Sequence, residues 1–557
     1  MRKLIGITTA AATVLALGLA GVSTAQGAAQ SPHAPRHRTG HPHHPPAYVP
    51  PPIQWGTCSD PTLVDFGAQC GFLVVPLDYA RPKGAKIRLA VSRVLHKTPD
   101  SEAQGVMLVN PGGPGGSGLI YSILGAFIPN GGGDPYDWVG FDPRGVGESQ
   151  PSLACDGTFF NGPRPPYEPT TKQILNQWVS KSKAYAAACT RADGQQLFRH
   201  VKTTDTIADM ESLRRALGER KINFYGFSYG TYLASVYMTL HPDRVRRFVL
   251  DSTVDPRGVW YRNNQAQDVA FQKTFKAYLA YLAQYSDFYD VGDTPQEVED
   301  TFLATEAALN AHPIDGVFGG DELLDVFTGP AYYVYGWGDV GTAYSQYLHG
   351  EGSEALVHMY TDANPGTPGS DNGYAMYLGT QCTDTPWPRS QHRLNRDNAF
   401  LNHFAYFFTW ANAWFNGPCA YWKYPASQPV KVSGKHVHVP ILMFDETLDP
   451  ATPYPGSLYV RSIFPTASLI EGKGGTTHAA TLSGVACVDD AIVNYLLTGA
   501  VPPRTAGNHS DLVCPRVPPP VPETTSTRSA APRSSDSVRA RAVARLRAGI
   551  QEAALHG

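Results

Sequence analysis

The chain has 557 residues, 42% of them hydrophobic and 17% charged, with a net charge of −3. That length can bury a large core, and so low a charged fraction excludes an intrinsically disordered chain. The near balance of charge gives no reason to expect nucleic acid or an anionic surface as partner.

At the N-terminus, MRK precedes the apolar run LIGITTAAATVLALGLAGV and the small-residue stretch STAQGAAQ. A basic start, an apolar middle and an exit at Ser23/Ala25 or Gly27/Ala29 are the parts of a secretory signal peptide, assigned to residues 1–29. The alternative is a membrane anchor, because the apolar run approaches spanning length. Its Thr and Gly content and the small-residue exit favour cleavage, so a secreted, extracellular protein without stable membrane association is expected. Export changes the reading of the eight cysteines: an even count in an oxidising compartment favours disulfides, and no C-x-x-C pair suggests a zinc ribbon. Proximity along the chain pairs Cys58 with Cys70, Cys155 with Cys189, Cys382 with Cys419 and Cys487 with Cys514.

Residues 30–52 are rich in Pro and His, as in a solvated leader or propeptide. Histidines 33, 37, 41, 43 and 44 lie here, and metal binding is the alternative reading. Folding signals begin at CGFLVVPLDYARPKGAKIRLAVSRV, which reads as two strands around a Pro/Gly turn. GVMLVN at 105–110 and the start of YDWVGFDPRGVGES at 136–149 are further strands, each running into glycines. Residues 203–217 carry Ile207, Met210, Leu213 and Leu217 at helical spacing. INFY leads into the turn at Ser228 and then a helix, and VRRFVLDSTVDP is the next strand. Strands alternating with helices predict an α/β fold with a mainly parallel sheet, its first part spanning 53–256. Residues 257–435 lose this rhythm and read as a large, mostly helical cap rich in Tyr and Phe. Strands return in VHVPILMFDETLDPATP and TASLIEGKGGTTHAA, so 436–515 completes the sheet and the cap lies over the strand ends, where such sheets bind ligands. Residues 516–557 are a linker and basic tail. In the tail Val543, Leu546 and Ile550 are at helical spacing with four arginines on other faces, as in a mobile tail or docked surface helix. A membrane-surface helix is the alternative.

Ser228 sits in Gly226-Phe227-Ser228-Tyr229-Gly230, between a strand and a helix. An ordinary Gly-rich turn could look the same, but a serine nucleophile needs a base and an orienting acid, and the chain supplies both. In the α/β-hydrolase arrangement the order is Ser, Asp or Glu, then His, each on a strand exit. Asp449 follows PILMF, with Asp445 and Glu446 as nearby competitors, and His478 ends SLIEGKGGTTH. The oxyanion formed on attack needs two N–H donors. The N–H of Tyr229 is one candidate. NPGGPGGSG at 110–118 supplies the other through Gly113, or else Gly112. That loop lacks the Lys-Ser/Thr of a phosphate-binding loop and the spacing of a dinucleotide fingerprint.

These segments, together with W55-x-x-C58, C70GFLVVPLDY79, D142PRGVGES149, L448DPATPY454 and C487VDDAIVNYLLTGAVPP503, carry a family resemblance over residues 53–515. The chain resembles the secreted tripeptidyl aminopeptidase branch of the α/β-hydrolase family, which is related to prolyl aminopeptidases and typical of Streptomyces-like actinobacteria. The resemblance implies Ser228 as nucleophile, Asp449 as orienting acid, His478 as base, a Cys487–Cys514 pair, and Arg144 as a brace for the oxyanion loop. Two departures stand out. Thr477-His478-Ala479 replaces the Gly-His-Gly common around the base, and Asn110-Pro111 precedes Gly112 where single-residue-releasing relatives carry His-Gly. The expected activity is a serine exopeptidase that releases short peptides, tripeptides in particular, from peptide substrates with free N-termini. It needs no metal or cofactor and acts as a monomer. An esterase or amidase acting on small metabolites is the alternative. Glu297, Glu299, Asp321, Glu322 and Asp384 are the cap carboxylates available to hold a substrate ammonium.

Overall fold

Four strands, VMLVN, INFYGF, VRRFVLD and ILMFDE, are near-continuous apolar runs, the pattern of strands covered on both faces. In the computed structural model, which describes residues 48–194, 196–522 and 534–555, they form the centre of a ten-stranded sheet. The segment assigned to a signal peptide and the leader up to residue 47 lie outside the described residues. The strands are β1 (Gly56–Thr57), β2 (Gln69–Pro76), β3 (Lys86–Val94), β4 (Val106–Asn110), β5 (Asp137–Phe141), β6 (Ile222–Phe227), β7 (Val245–Asp251), β8 (Ile441–Glu446), β9 (Ala467–Lys473) and β10 (Leu512–Pro515).

Their order is β1-β2-β3-β5-β4-β6-β7-β8-β9-β10, with β1–β2, β2–β3 and β3–β5 antiparallel and every other pairing parallel. Alternate residues face opposite cores. Met107, Tyr225 and Leu442 join one cluster, and Leu108, Phe224 and Met443 join the other. The chain leaves β4 for β5 on one side and returns to β6 on the other. This reversal of direction opens a crevice at the carboxyl ends of β4 and β6, the place where open α/β sheets bind ligands. Asn110 pairs with Gly226 across it. Strand β10 was not evident in the sequence: four residues are too few to show a period, and the segment runs beside β9 with Cys514 tied to Cys487.

Between β7 and β8 the chain makes a helical layer from Tyr261–Gln284 to Tyr406–Phe415. Phe271, Phe275, Tyr278 and Leu282, three or four apart on the first of these helices, are buried together, with the Phe275 ring stacked on Phe407 at 4.0 Å. The helix Lys172–Ala192, which precedes β6, packs against the same layer through Trp178, stacked on Trp414 at 5.6 Å. All four disulfides join the neighbouring cysteines. The terminal helix Ser534–Leu555 docks on the sheet domain and continues through Gly549. Among the described residues no helix is long and apolar enough to cross a membrane.

Candidate active site

Ser228 occupies the turn between β6 and the helix Tyr229–Leu240 with φ 55° and ψ −124°, a region that side chains rarely adopt and that is typically strained by about 1–3 kcal/mol. The surroundings hold it there. Its N–H donates to the Asp251 carbonyl at 3.0 Å, and its own carbonyl accepts from the N–H (2.9 Å) and hydroxyl (2.6 Å) of Thr231. Close packing explains the flanking glycine: a Cβ on Gly230 would stand 2.6 Å from the Asn110 carbonyl oxygen. The motif is therefore a tight strand-to-helix elbow that lifts the hydroxyl above the sheet.

The loop after β4 lies directly against this elbow. Gly112 has φ +105°, and a Cβ there would meet the Ser228 Cβ at 2.8 Å. Its N–H is taken by Asn110 Oδ1 at 3.1 Å, whereas Gly113 lines the cavity beside Ser228 and Tyr229. Asp142 braces the far end of the loop, accepting from the Ser117 hydroxyl (2.7 Å) and the Gly118 N–H (2.9 Å). The expectation for Arg144 needs correcting. Its guanidinium has more donors than a turn can satisfy, and it forms a two-pronged pair with Asp209 at 2.7 Å on each arm while donating to the Leu77 and His200 carbonyls. It ties β2 to the helix Thr203–Ala216 and does not touch the oxyanion loop.

Asp449 and His478 meet on the loops after β8 and β9. The His478 Nδ1 lies 2.8 Å from Asp449 Oδ2 and 3.0 Å from Oδ1. Asp449 also accepts from the N–H groups of Ala451 (2.8 Å) and Thr452 (2.9 Å) and from the Thr452 hydroxyl (3.0 Å). Burial alone would raise its pKa, but the His478 charge and these hydrogen bonds outweigh it and hold the carboxyl below its usual range. Asp445 is set apart by its surroundings. It is buried beside the Asp449 charge and takes one hydrogen bond from Ser457, so its pKa is pushed well up. Glu446 is clamped under the histidine loop, accepting from the N–H groups of Thr477 (2.6 Å) and Val517 (2.8 Å), and burial raises it to about 7. Glu446 thus supports the histidine loop, Asp445 is tied to the helix that follows β8, and of the three carboxylates Asp449 alone reaches the imidazole.

The His478 Nε2 is buried and without a hydrogen-bond partner among the described residues. No hydrogen bond joins it to the Ser228 hydroxyl here, although the two loops are linked: Ser228 bonds to Asp251, and the adjacent Ser252 accepts from the Ala479 N–H at 2.8 Å. Apo sites of this kind commonly tighten only when substrate is bound.

Above Ser228 is a cavity of about 470 Å³ under the helical layer, lined by Gly113, Tyr229, Trp260, Tyr332, Gln381 and Asp325 among others. None of the five anticipated cap carboxylates lines it. Glu297 caps its own helix, Glu299 pairs with Lys276, Asp384 bonds to Thr203 and Trp260, and Asp321 and Glu322 bond to Tyr167 and Arg164. Asp325, one turn further along the same helix, does reach the cavity while accepting from Arg164 (2.6 Å) and Tyr167 (2.8 Å). Its spacing from Asp321 and Glu322 was the available signal. Among the described residues no cluster of three or more His, Cys, Asp or Glu side chains is arranged to hold a metal ion.

A strained serine elbow on a mainly parallel sheet, a following Asp–His pair and a helical cover define a hydrolase of the α/β fold. The α/β hydrolase fold family matches residues 105–364, and the TAP-like protein family matches residues 406–514. The chain is 38% identical to the tripeptidyl aminopeptidase of Streptomyces coelicolor over 81% of its own length and 85% of the relative's. It is 29% identical to the serine protease Hip1 of Mycobacterium tuberculosis, over 82% and 90% of the two chains. It is 28% identical to carboxylesterase B of Mycobacterium tuberculosis, over 87% and 93%. The chain belongs to the tripeptidyl aminopeptidase family of α/β hydrolases.

Proposed function

We propose that the protein is a secreted serine exopeptidase that releases tripeptides from free N-termini, with Ser228 as nucleophile, His478 as general base and acid, and Asp449 as its orienting acid. The observation that carries this reading is the buried Asp449–His478 pair, its Nε2 left without a partner, on a loop tied by Ala479 to Ser252 next to the strand end that holds the serine elbow. Asp449 fixes the proton on Nδ1, which leaves Nε2 as the base that takes the Ser228 proton as Oγ bonds to the scissile carbonyl carbon. The N–H groups of Tyr229 and Gly113 receive the oxyanion, and each such donor is worth about 3 kcal/mol in the transition state. Collapse breaks the C–N bond, and the leaving amine takes the proton from Nε2. A water then gives its proton to Nε2, attacks the acyl carbon and frees the peptide acid, and Ser228 regains its hydrogen.

The free N-terminus is supported by Asp325, the one carboxylate of the Arg164 cluster that lines the cavity. Asp321, Glu322 and Asp325 surround one guanidinium, that of Arg164, and burial still holds Asp321 well above and Asp325 above the usual carboxylate range. An arriving ammonium beside Asp325 would favour its charged form and pair with it. Secretion is supported by the signal-like N-terminus and the four disulfides. The likeness to a carboxylesterase favours a second reading, hydrolysis of small esters or amides with the same triad. Turnover of an Ala-Ala-Pro anilide and of its N-acetylated form separates the two. The exopeptidase loses the blocked substrate, whereas an esterase or amidase treats both alike. Ser228→Ala is expected to lower kcat by about 10⁶-fold, and retained turnover in that variant would end the triad assignment.

A further inference from the structure

The terminal helix Ser534–Leu555 lies beyond residue 514, where the family match ends, yet it is fastened to the active-site rim. Arg545 pairs with Asp60 at 2.6 Å, and Arg539 donates to the Ala126 carbonyl and lies over the Phe127 ring. The buried Tyr121 hydroxyl donates to the Leu546 carbonyl at 2.9 Å, and Ala542, Leu546 and Ala553 are buried. The far end of the helix reaches both halves of the catalytic machinery. On the oxyanion loop, a Cβ on Gly116 would come within 2.5 Å of Ala553 Cβ. On the histidine side, Tyr333, whose ring is 6.3 Å from that of His478, donates to the Ile550 carbonyl.

Two cavities meet at this helix. The first is the cap cavity above Ser228, and Gln551 is part of its wall. The second, about 380 Å³, lies between the helix and the residues just after His478, with Ala479, Thr481 and Leu482 on one side and Leu546, Ile550 and again Gln551 on the other. In the exopeptidase reading, the acyl part of a substrate with its N-terminus at Asp325 would occupy the first cavity. The leaving amine, protonated by His478, would then depart toward the second, which is lined by the residues just after that histidine.

We propose that the terminal helix is the wall of the leaving-group subsite and limits how much polypeptide can extend beyond the scissile bond, with Gln551 at the boundary between the two subsites. This rests on the exopeptidase reading above. Short leaving groups fit the second cavity as it stands, whereas a long chain must displace the helix.

The test uses two substrates with the same N-terminal tripeptide, one an anilide and one continued by about eight residues. In the full-length chain Gly549→Leu is the first variant, because a Cβ there would stand 2.7 Å from the Tyr121 hydroxyl and so push the helix away. The second variant ends the chain at residue 522, which retains β10 and the Cys487–Cys514 pair. Either variant is expected to raise kcat/KM for the long peptide at least ten-fold while the anilide changes less than two-fold. A long-to-short ratio that stays within two-fold of the parent in the truncated enzyme, or in a Gly549→Leu enzyme that melts like the parent, overturns the proposal. Ser228→Ala in each background keeps the two readings distinct. A failed triad leaves turnover of both substrates there, whereas a failed wall leaves only the ratio unmoved.

Discussion

Two of the buried arginines, Arg144 in the sheet domain and Arg164 under the cap, are matched differently. Arg144 has a single carboxylate, Asp209, on both arms, and its remaining donors go to the Leu77 and His200 carbonyls. Charge and hydrogen bonds close on themselves, with no contact to the catalytic cavity. Arg164 faces Glu322 at 2.8 Å and Asp325 at 2.6 Å, with Asp321 beside them, and the Asp325 side chain remains 26% exposed. A balanced pair braces a fold; a part-exposed carboxylate at a cavity wall, sharing its cation with a second one, is open to another cation. The same side chain is closed off in one region and, in the exopeptidase reading, helps to shape recognition in the other.

Removing the balanced pair should have the largest effect. Arg144→Met leaves Asp209 buried without its cation and is expected to cost about 3–5 kcal/mol in urea unfolding, with turnover per folded molecule within two-fold of the parent. A stable Arg144→Met enzyme with lost activity would reverse the contrast. Asp325→Asn should do the opposite. Glu322 still holds Arg164, so stability is expected to stay within about 1 kcal/mol, while kcat/KM for a free-amine tripeptide anilide falls about 100-fold, or roughly 2.7 kcal/mol. Equal losses on free and N-acetylated substrates would remove Asp325 from amine recognition.

Glu446 extends the comparison to a buried carboxyl with two N–H donors and no cation. Burial places its pKa at about 7, above the ordinary 4.5. Its contribution to stability is therefore fully present below about pH 4.5 and lost as pH rises through 7, by roughly 3 kcal/mol. Asp449 has the opposite sign: its depressed pKa favours the fold above the ordinary value, and that contribution is lost as pH falls through the lower one. Unfolding free energies between pH 4.5 and 8 are expected to decline less steeply in Glu446→Gln than in the parent. An unchanged slope would assign the decline to Asp251, raised by burial to about 6, or to other buried groups.

The strand exits that carry Ser228, Asp449 and His478 were legible because continuous apolar runs and glycine turns are local signals. The partners of the buried arginines were not. Asp209 lies 65 residues from Arg144 and Glu322 lies 158 from Arg164, and no period in the sequence connects them. Asp325 was hidden for a related reason. Acidic residues on an amphipathic cap helix look alike until the fold shows which one faces the cavity. The terminal helix showed a narrow stripe at Val543, Leu546 and Ile550, but the surface that receives it is assembled from Tyr121, Phe127 and Tyr333, which only the fold brings together.

The smallest effect is expected at Ala479, next to His478, where the family resemblance implies glycine. Ala479 has φ +53°, in the left-handed region where a side chain is disfavoured by about 1 kcal/mol. Its N–H donates to Ser252 Oγ, so the hydrogen bond holds the residue in this conformation despite the methyl group. Ala479→Gly relieves the native strain but adds freedom to the unfolded chain, and the two terms nearly offset. Stability is expected to move by less than about 1 kcal/mol and kcat by less than two-fold. A ten-fold fall in kcat would mean that the strained alanine itself helps to aim the imidazole. The loop would then resemble the serine elbow, where strain is held for function, more than the balanced Arg144 pair.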